Sequence, residues 1–243
     1  MKIELSSLDE QHFGFRTARA ADVTAESLTE IVAFCRLHAV QLLIARTAVT
    51  NLKAVQAMEN QGFLLMDTLV YSSRDIRSRP LPADDQAKVK IRPFRPGDEP
   101  HIQAVAAGAF QGYNGHYHAD ARLDRKKCDA VYELWAVNSC QLASLADVVL
   151  VAQQNEAIVG FTTLLLNEAA DEGDIRLFAV APWAQRQGIA RLLMIGAMHW
   201  CHNQGLTRTV ISTQITNFAM RKVWSRLGFE PFQAYYTLHK WFD

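Results

Sequence analysis

Apolar side chains at Ile189, Leu192, Leu193, Gly196, Ala197, Trp200 and Cys201 recur every three or four residues, which predicts a helix over 189–203 with Gly205 as its stop. The run DIRLFAV before it predicts a strand over 174–180, and a Pro-marked turn and polar loop join the two. Upstream, a polar, turn-rich opening containing Phe13-Gly14-Phe15 leads to a helix near 25–38, in which Leu28, Ile31, Val32 and Cys35 share a face. A strand QLLIART, a helix from Asn51 to Gly62 and the strand LLMDTLVYS follow. Arg74–Gln86, with two prolines and mixed charges, reads as a linker, so the chain divides into residues 1–80 and 88–243. The second part reads as strand KIRPF, helix 98–110 with Asp98 as N-cap and Pro100 in its first turn, an irregular loop, and helix 125–140. Strands at 147–153, 157–166 and 174–180, the 189–203 helix, strand RTVISTQI, helix 217–227 and strands around Phe232–Phe242 complete it. This mixture of strands and helices predicts an α/β fold.

The chain also echoes itself. Asn217-x-x-Met220-x-x-Val223-Trp224-x-x-x-Gly228-Phe229 repeats Asn51-x-x-Ala54-x-x-Ala57-Met58-x-x-x-Gly62-Phe63 at a constant offset. Only the second copy is preceded by Gln185-x-x-Gly188-x-Ala190. That loop delivers free backbone N–H groups to a helix N-terminus, and Arg186 and Arg191 add positive charge, which together suit a phosphate or pyrophosphate.

Composition narrows the class. The 243 residues are 49% hydrophobic and carry 25 basic and 25 acidic side chains, enough to bury a sizeable core and too balanced to draw nucleic acid or an anionic membrane. No apolar signal core opens the chain and no run of about eighteen apolar residues occurs, so a cytoplasmic protein is expected. Cys35, Cys128, Cys140 and Cys201 are scattered over predicted helices, as reduced thiols would be.

A strand ending in Ala-Val-x-Pro before Gln185-x-x-Gly188-x-Ala190 resembles the coenzyme-A motif of the GNAT superfamily of N-acetyltransferases. The element order of the C-terminal part is similar to the same fold, a mixed, mostly antiparallel sheet flanked by helices. A partial GNAT-like unit ahead of a complete one resembles bacterial TDP-fucosamine N-acetyltransferases. Looser similarities are Leu8-Asp9 before Phe13-Gly14, the run Gly62 to Val70, and Phe110 followed by His116-Tyr117-His118-Ala119-Asp120 and Tyr132-x-x-Trp135.

The resemblance implies acetyl-CoA as co-substrate and a small-molecule primary amine as acceptor, first an amino sugar on a nucleotide. Aminoglycosides, polyamines and protein amines remain open, as does a non-catalytic acyl-CoA-binding module. It implies pantetheine contacts along Phe178, Ala179 and Val180, pyrophosphate contacts from Gln185, Arg186, Gln187, Gly188, Ile189, Ala190 and Arg191, and a contact from Asn217. Asp174 falls where relatives carry a catalytic glutamate and is the expected general base, with Glu168 and Glu172 as alternatives. Trp224 stands where a proton-donating tyrosine is common; an indole donates a hydrogen bond without ionising. Tyr235, Tyr236 and Ser225 are substitutes, and a purely core role for Trp224 beside Met220 and Leu227 stays open.

The loop 111–122 is expected to face the acceptor, with Tyr117, His118, Asp120 and, on the next helix, Trp135 in contact. His116-x-His118 and His199-x-x-His202 lack a third ligand in sequence, so no metal is expected. Cys201 falls on a buried face and is not expected to act as a nucleophile. The C-terminal strand FQAYYTLHKWF, read as a sheet edge, could pair with a second copy to form a homodimer.

Overall fold

The computed structural model describes residues 2–83 and 88–242. Ten strands form one mixed sheet: β1 (Lys2–Leu5), β2 (Thr17–Ala21), β3 (Leu42–Ala48), β4 (Leu64–Asp75), β5 (Lys90–Pro93), β6 (Val148–Gln154), β7 (Ala157–Asn167), β8 (Glu172–Val180), β9 (Arg208–Gln214) and β10 (Glu230–Trp241). Across the sheet they lie in the order β1-β2-β3-β10-β4-β9-β8-β7-β6-β5. Among the described residues only β2 with β3 and β8 with β9 run parallel. The helices are α1 (Ser7–Phe13), α2 (Leu28–Leu37), α3 (Leu52–Asn60), α4 (Glu99–Phe110), the single turn α5 (His116–Ala119), α6 (Arg125–Gln141), α7 (Ile189–Asn203) and α8 (Phe218–Arg226).

The sequence echo is a structural repeat. β3, α3 and β4 each recur 166 residues later, with unchanged lengths, as β9, α8 and β10. The same capping chemistry starts both helices: Asn51 accepts from the Ala54 amide at 3.2 Å and Asn217 from the Met220 amide at 3.3 Å. Both are followed by a glycine at φ 79°, Gly62 and Gly228, where the chain must turn left-handed. The repeats exchange their last strands. β10 lies between β3 and β4, with Tyr235 opposite Ala48 on one side and Leu69 on the other; β4 in turn pairs with β9, Leu69 opposite Gln214. Leu69 and Tyr235 are themselves repeat equivalents, so a local two-fold axis passes through their pair.

Several expectations need correction. β10 is central, with Leu238 fully buried, so the C-terminal strand offers no edge for a second copy. The edges are β1 and β5, four residues each, the latter holding Pro93, and such short edges resist pairing with other chains. The opening stretch is a strand, a helix and a strand, missed because β1 is mostly exposed and carries little periodic signal. Asp98 occupies the N-cap, yet its carboxylate binds Arg92 at 2.7 Å and the Arg95 amide at 2.8 Å. Arg74 and Asp75 belong to β4, and Ile76 and Leu81 pack into the core under α7, so the proposed linker begins by hugging the fold; Asp84, Asp85 and Gln86 lie outside the described residues.

Three buried clusters result. One fills the space beneath α4 and α6, a second lies around α7 and α8, and a third lies between α2, α3 and β2–β3. Leu238 joins the third from the C-terminal strand, so the two repeats share a core. Replacing Leu238 by Ala should lower stability by about 2–5 kcal/mol. Hydrogen exchange in urea should show amides of β3 and β9 lost in one transition, and independent unfolding of the two repeats would contradict the exchanged-strand description.

Candidate active site at the splayed strands

β8 and β9 pair only from Glu172 opposite Arg208 to Ile175 opposite Ile211. Beyond Ile175 the strands part: β8 stays bonded to β7 as far as Val180, while β9 stays bonded to β4 through Gln214. The end of β8 therefore turns one edge of its backbone toward a wedge. At the equivalent place in the first repeat the wedge is closed, because the Val23 amide continues the pairing by donating to Arg46 O at 3.0 Å.

β8 then breaks at Pro182 into the loop that enters α7. Arg186 (φ 63°) and Gly188 (φ 83°) are both left-handed, and residues 185–188 are exposed. The Gly188, Ile189 and Ala190 amides donate to no acceptor among the described residues outside the helix, as expected at an uncapped N-terminus. The donor set fits a pyrophosphate: several converging amides, the positive end of a fifteen-residue helix, and the exposed Arg186. Gln185 Nε2 donates to Val180 O at 3.3 Å and holds the loop against the strand.

The other expected site residues fall in distinct surroundings. Asp174 lies on β8 just before the wedge; its neighbour Ile175 enters the core under α7, so Asp174 faces the opposite side. Burial pushes its carboxyl up, against the pull of Arg176 at 2.6 Å. Glu172 is tied to Arg208 at 2.6 Å, and Glu168 lies in the 3-10 turn 168–170. Phe178 is half-buried between two cores. Trp224 is 3% exposed and its indole N–H meets no acceptor among the described residues. Asn217 spends its side chain on the α8 cap and on Thr213, to which it donates at 3.0 Å.

The loop expected to meet the acceptor is tightly bound in place. Tyr117 donates to Asp9 at 2.6 Å and accepts from Arg19, which also clasps Asp9 at 2.7 Å. Asp120 accepts from His239 at 2.7 Å and Trp241 at 2.9 Å, and His116 continues that chain to His239 at 2.9 Å. His118 turns the other way, to Asp129 at 3.0 Å, so His116 and His118 do not converge on a metal. Trp135 is half-buried against the core. His199 bonds Pro82 O at 3.1 Å, and burial raises the Cys201 thiol to about 11, too high for a resting thiolate.

Sequence reading missed the polar groups that do border the wedge. Gln214, at the end of β9, accepts from Tyr113 and donates to Asp67 on β4 at 3.3 Å, and a second Asp67 oxygen is buried without a partner among the described residues. These residues are 101 and 147 positions from Gln214 along the chain, so no local pattern could join them.

Residues 115–229 match the model of the Acetyltransferase (GNAT) family, and the fold is that of a GNAT acetyltransferase. A GCN5-related N-acetyltransferase from Sphaerobacter thermophilus superposes with TM-score 0.69 at 16% identity, over 98% of this chain and 76% of that one. The spore coat polysaccharide biosynthesis protein SpsD of Bacillus subtilis (strain 168) is 28% identical over 63% of this chain and 50% of its own length. The mycothiol acetyltransferase of Rhodococcus jostii (strain RHA1) is 26% identical over 76% of this chain and 60% of its own length. The chain thus spans about half of the first relative. Among the described residues no helix is long and apolar enough to cross a membrane.

The buried polar chain sets an acid limit on stability. Burial and the neighbouring His239 and Arg46 charges hold His116 well below its usual value, so the unfolded chain takes up a proton there that the folded chain refuses. Burial would raise Asp9, but Arg19 and the hydrogen bonds outweigh it and hold the carboxyl below 3.8. Stability should therefore fall as pH drops below about 6.5 and fall again below about 3.8. Urea midpoints across pH 3–8 should show His116→Gln flattening the first step only.

Proposed function

We propose that this chain is an acetyl-CoA-dependent N-acetyltransferase acting in the cytoplasm, without a metal, on a small-molecule primary amine, with a nucleotide-linked amino sugar as the leading acceptor. The observation that carries the reading is the parting of β8 from β9 directly upstream of a left-handed, amide-rich loop at a helix N-terminus. Sugar chemistry draws support from the likeness to a polysaccharide biosynthesis protein. The likeness to mycothiol acetyltransferases keeps other small amines in view. The closed β2–β3 wedge supports residues 88–243 as the acyl-CoA-binding unit and residues 1–80 as a partial one.

When bound, acetyl-CoA supplies an activated thioester carbonyl. Gln185 to Arg191 would hold its pyrophosphate, and the free edge of Phe178, Ala179 and Val180 would pair with its amide-bearing arm. A backbone N–H on that edge can then donate to the developing oxyanion, an interaction worth a few kcal/mol of barrier. An alkyl ammonium with a reference near 10.4 must lose a proton before it attacks. Asp174 is suited to accept that proton through water, because burial raises its basicity and it faces away from α7. Trp224 can offer its N–H, which meets no acceptor among the described residues, to the departing sulfur but no proton; a thiolate with a reference near 8.5 leaves without one.

Acetyl-CoA at about 100 times its Kd should stabilise the protein by about 2.7 kcal/mol. Gly188→Val, which forces a branched side chain into a left-handed site, should abolish that shift. Asp174→Asn should keep the shift and lower kcat by at least about 100-fold with an amino-sugar acceptor. No stabilisation by acetyl-CoA would sink the reading, and stabilisation without thiol release on any amine would leave a binding module.

A further inference from the structure

The acceptor side of the sheet carries a cation that the proposed chemistry does not use. Strand register lays out two rows of side chains on one face of the four central strands. The first runs Ala48, Tyr235, Leu69, Gln214 across β3, β10, β4 and β9; the second runs Arg46, Thr237, Asp67 across β3, β10 and β4. Gln214 ends the first row at the wedge. This is the face turned toward α5, since His239, two residues beyond Thr237, meets His116 there.

Arg46 stands out among the arginines of this region. Arg19 has Asp9 at 2.7 Å and Arg92 has Asp98 at 2.7 Å, whereas Arg46 makes no ion pair among the described residues. Its Nε donates only to the Thr237 hydroxyl, at a long 3.4 Å. It is half-buried; with Arg19 of β2 it acts on the uncharged His116 of α5, and the carboxylate in its own row is Asp67, across Thr237 on β4. Tyr71 and Tyr235 meet edge to face at 5.5 Å on the same face. A guanidinium left partly desolvated without a counter-charge is costly unless something supplies the anion.

We propose that Arg46 binds a phosphate carried by the acceptor, so that this site selects amines bearing an anionic group several ångströms from the nitrogen. This rests on the acetyltransferase reading above. With strands about 4.8 Å apart, the Arg46 and Gln214 backbones are about 16 Å apart, and the arginine side chain shortens the span to about 10 Å. That length admits a phosphorylated amino sugar lying across β10 and β4, its amine at the wedge. The first repeat thereby supplies a specificity residue to the second, through the exchanged strand that places β3 on the same face.

The test is calorimetric binding to the whole chain with coenzyme A present, using glucosamine 6-phosphate and glucosamine as probes. The wild type should bind the phosphorylated amine about 10- to 100-fold tighter, the range expected for a charge-assisted guanidinium contact. Arg46→Gln should bring the ratio of the two dissociation constants close to one, and Arg46→Lys should leave an intermediate ratio. Equal affinities in the wild type, or a ratio unchanged in Arg46→Gln, would overturn the proposal. Acetyl transfer to both amines is measured alongside. Binding is read without turnover, so failure of transfer would remove the enzymatic reading while the affinity ratio still decides the role of Arg46. Acetyl-CoA should shift the melting temperature of both variants as it does the wild type, which shows that they are folded.

Discussion

The pairing of β4 with β10 is the constraint on which the rest depends. Each of these strands ends one repeat and is built into the other, so β3 meets β10 and β9 meets β4. Neither repeat can satisfy the backbone of its own penultimate strand alone. A buried edge without partners would cost more than the marginal stability of a domain can absorb. The exchange therefore makes one cooperative sheet from two half-units and fixes the first repeat beside the wedge.

Symmetry at the centre and asymmetry at the flanks are both consequences. Where the repeats agree, at the Asn caps, the left-handed glycines and the strand lengths, the local physics is identical. They part at the parallel pairs. In the first repeat, backbone pairing carries on past β2; in the second, β8 and β9 separate and leave amides and carbonyls on a free edge. The same strand pair is closed in one copy and parted in the other.

The buried polar groups serve a different end from the one their composition suggests. Tyr117 and Asp120 tie α5 to both chain halves, through Asp9 and Arg19 near the start and His239 and Trp241 near the end. Such a network is favourable only when every member is satisfied, which also makes α5 a rigid roof over the central strands.

The amino-acid sequence alone determined much of this protein. Amphipathic spacing located α2, α3, α4, α6, α7 and α8 to within a few residues, because local burial periodicity is a property of consecutive positions. The Gln185-x-x-Gly188-x-Ala190 loop was legible for the same reason: its backbone geometry is set by adjacent residues. Tertiary structure decided what depends on distant partners. It placed β10 in the middle of the sheet, turned Asn217 into a cap, engaged Tyr117 and Asp120 in the interior, and brought Asp67, Gln214 and Arg46 onto one face. Strand order and cross-strand register are fixed by contacts between residues far apart in the chain, and no local pattern encodes them.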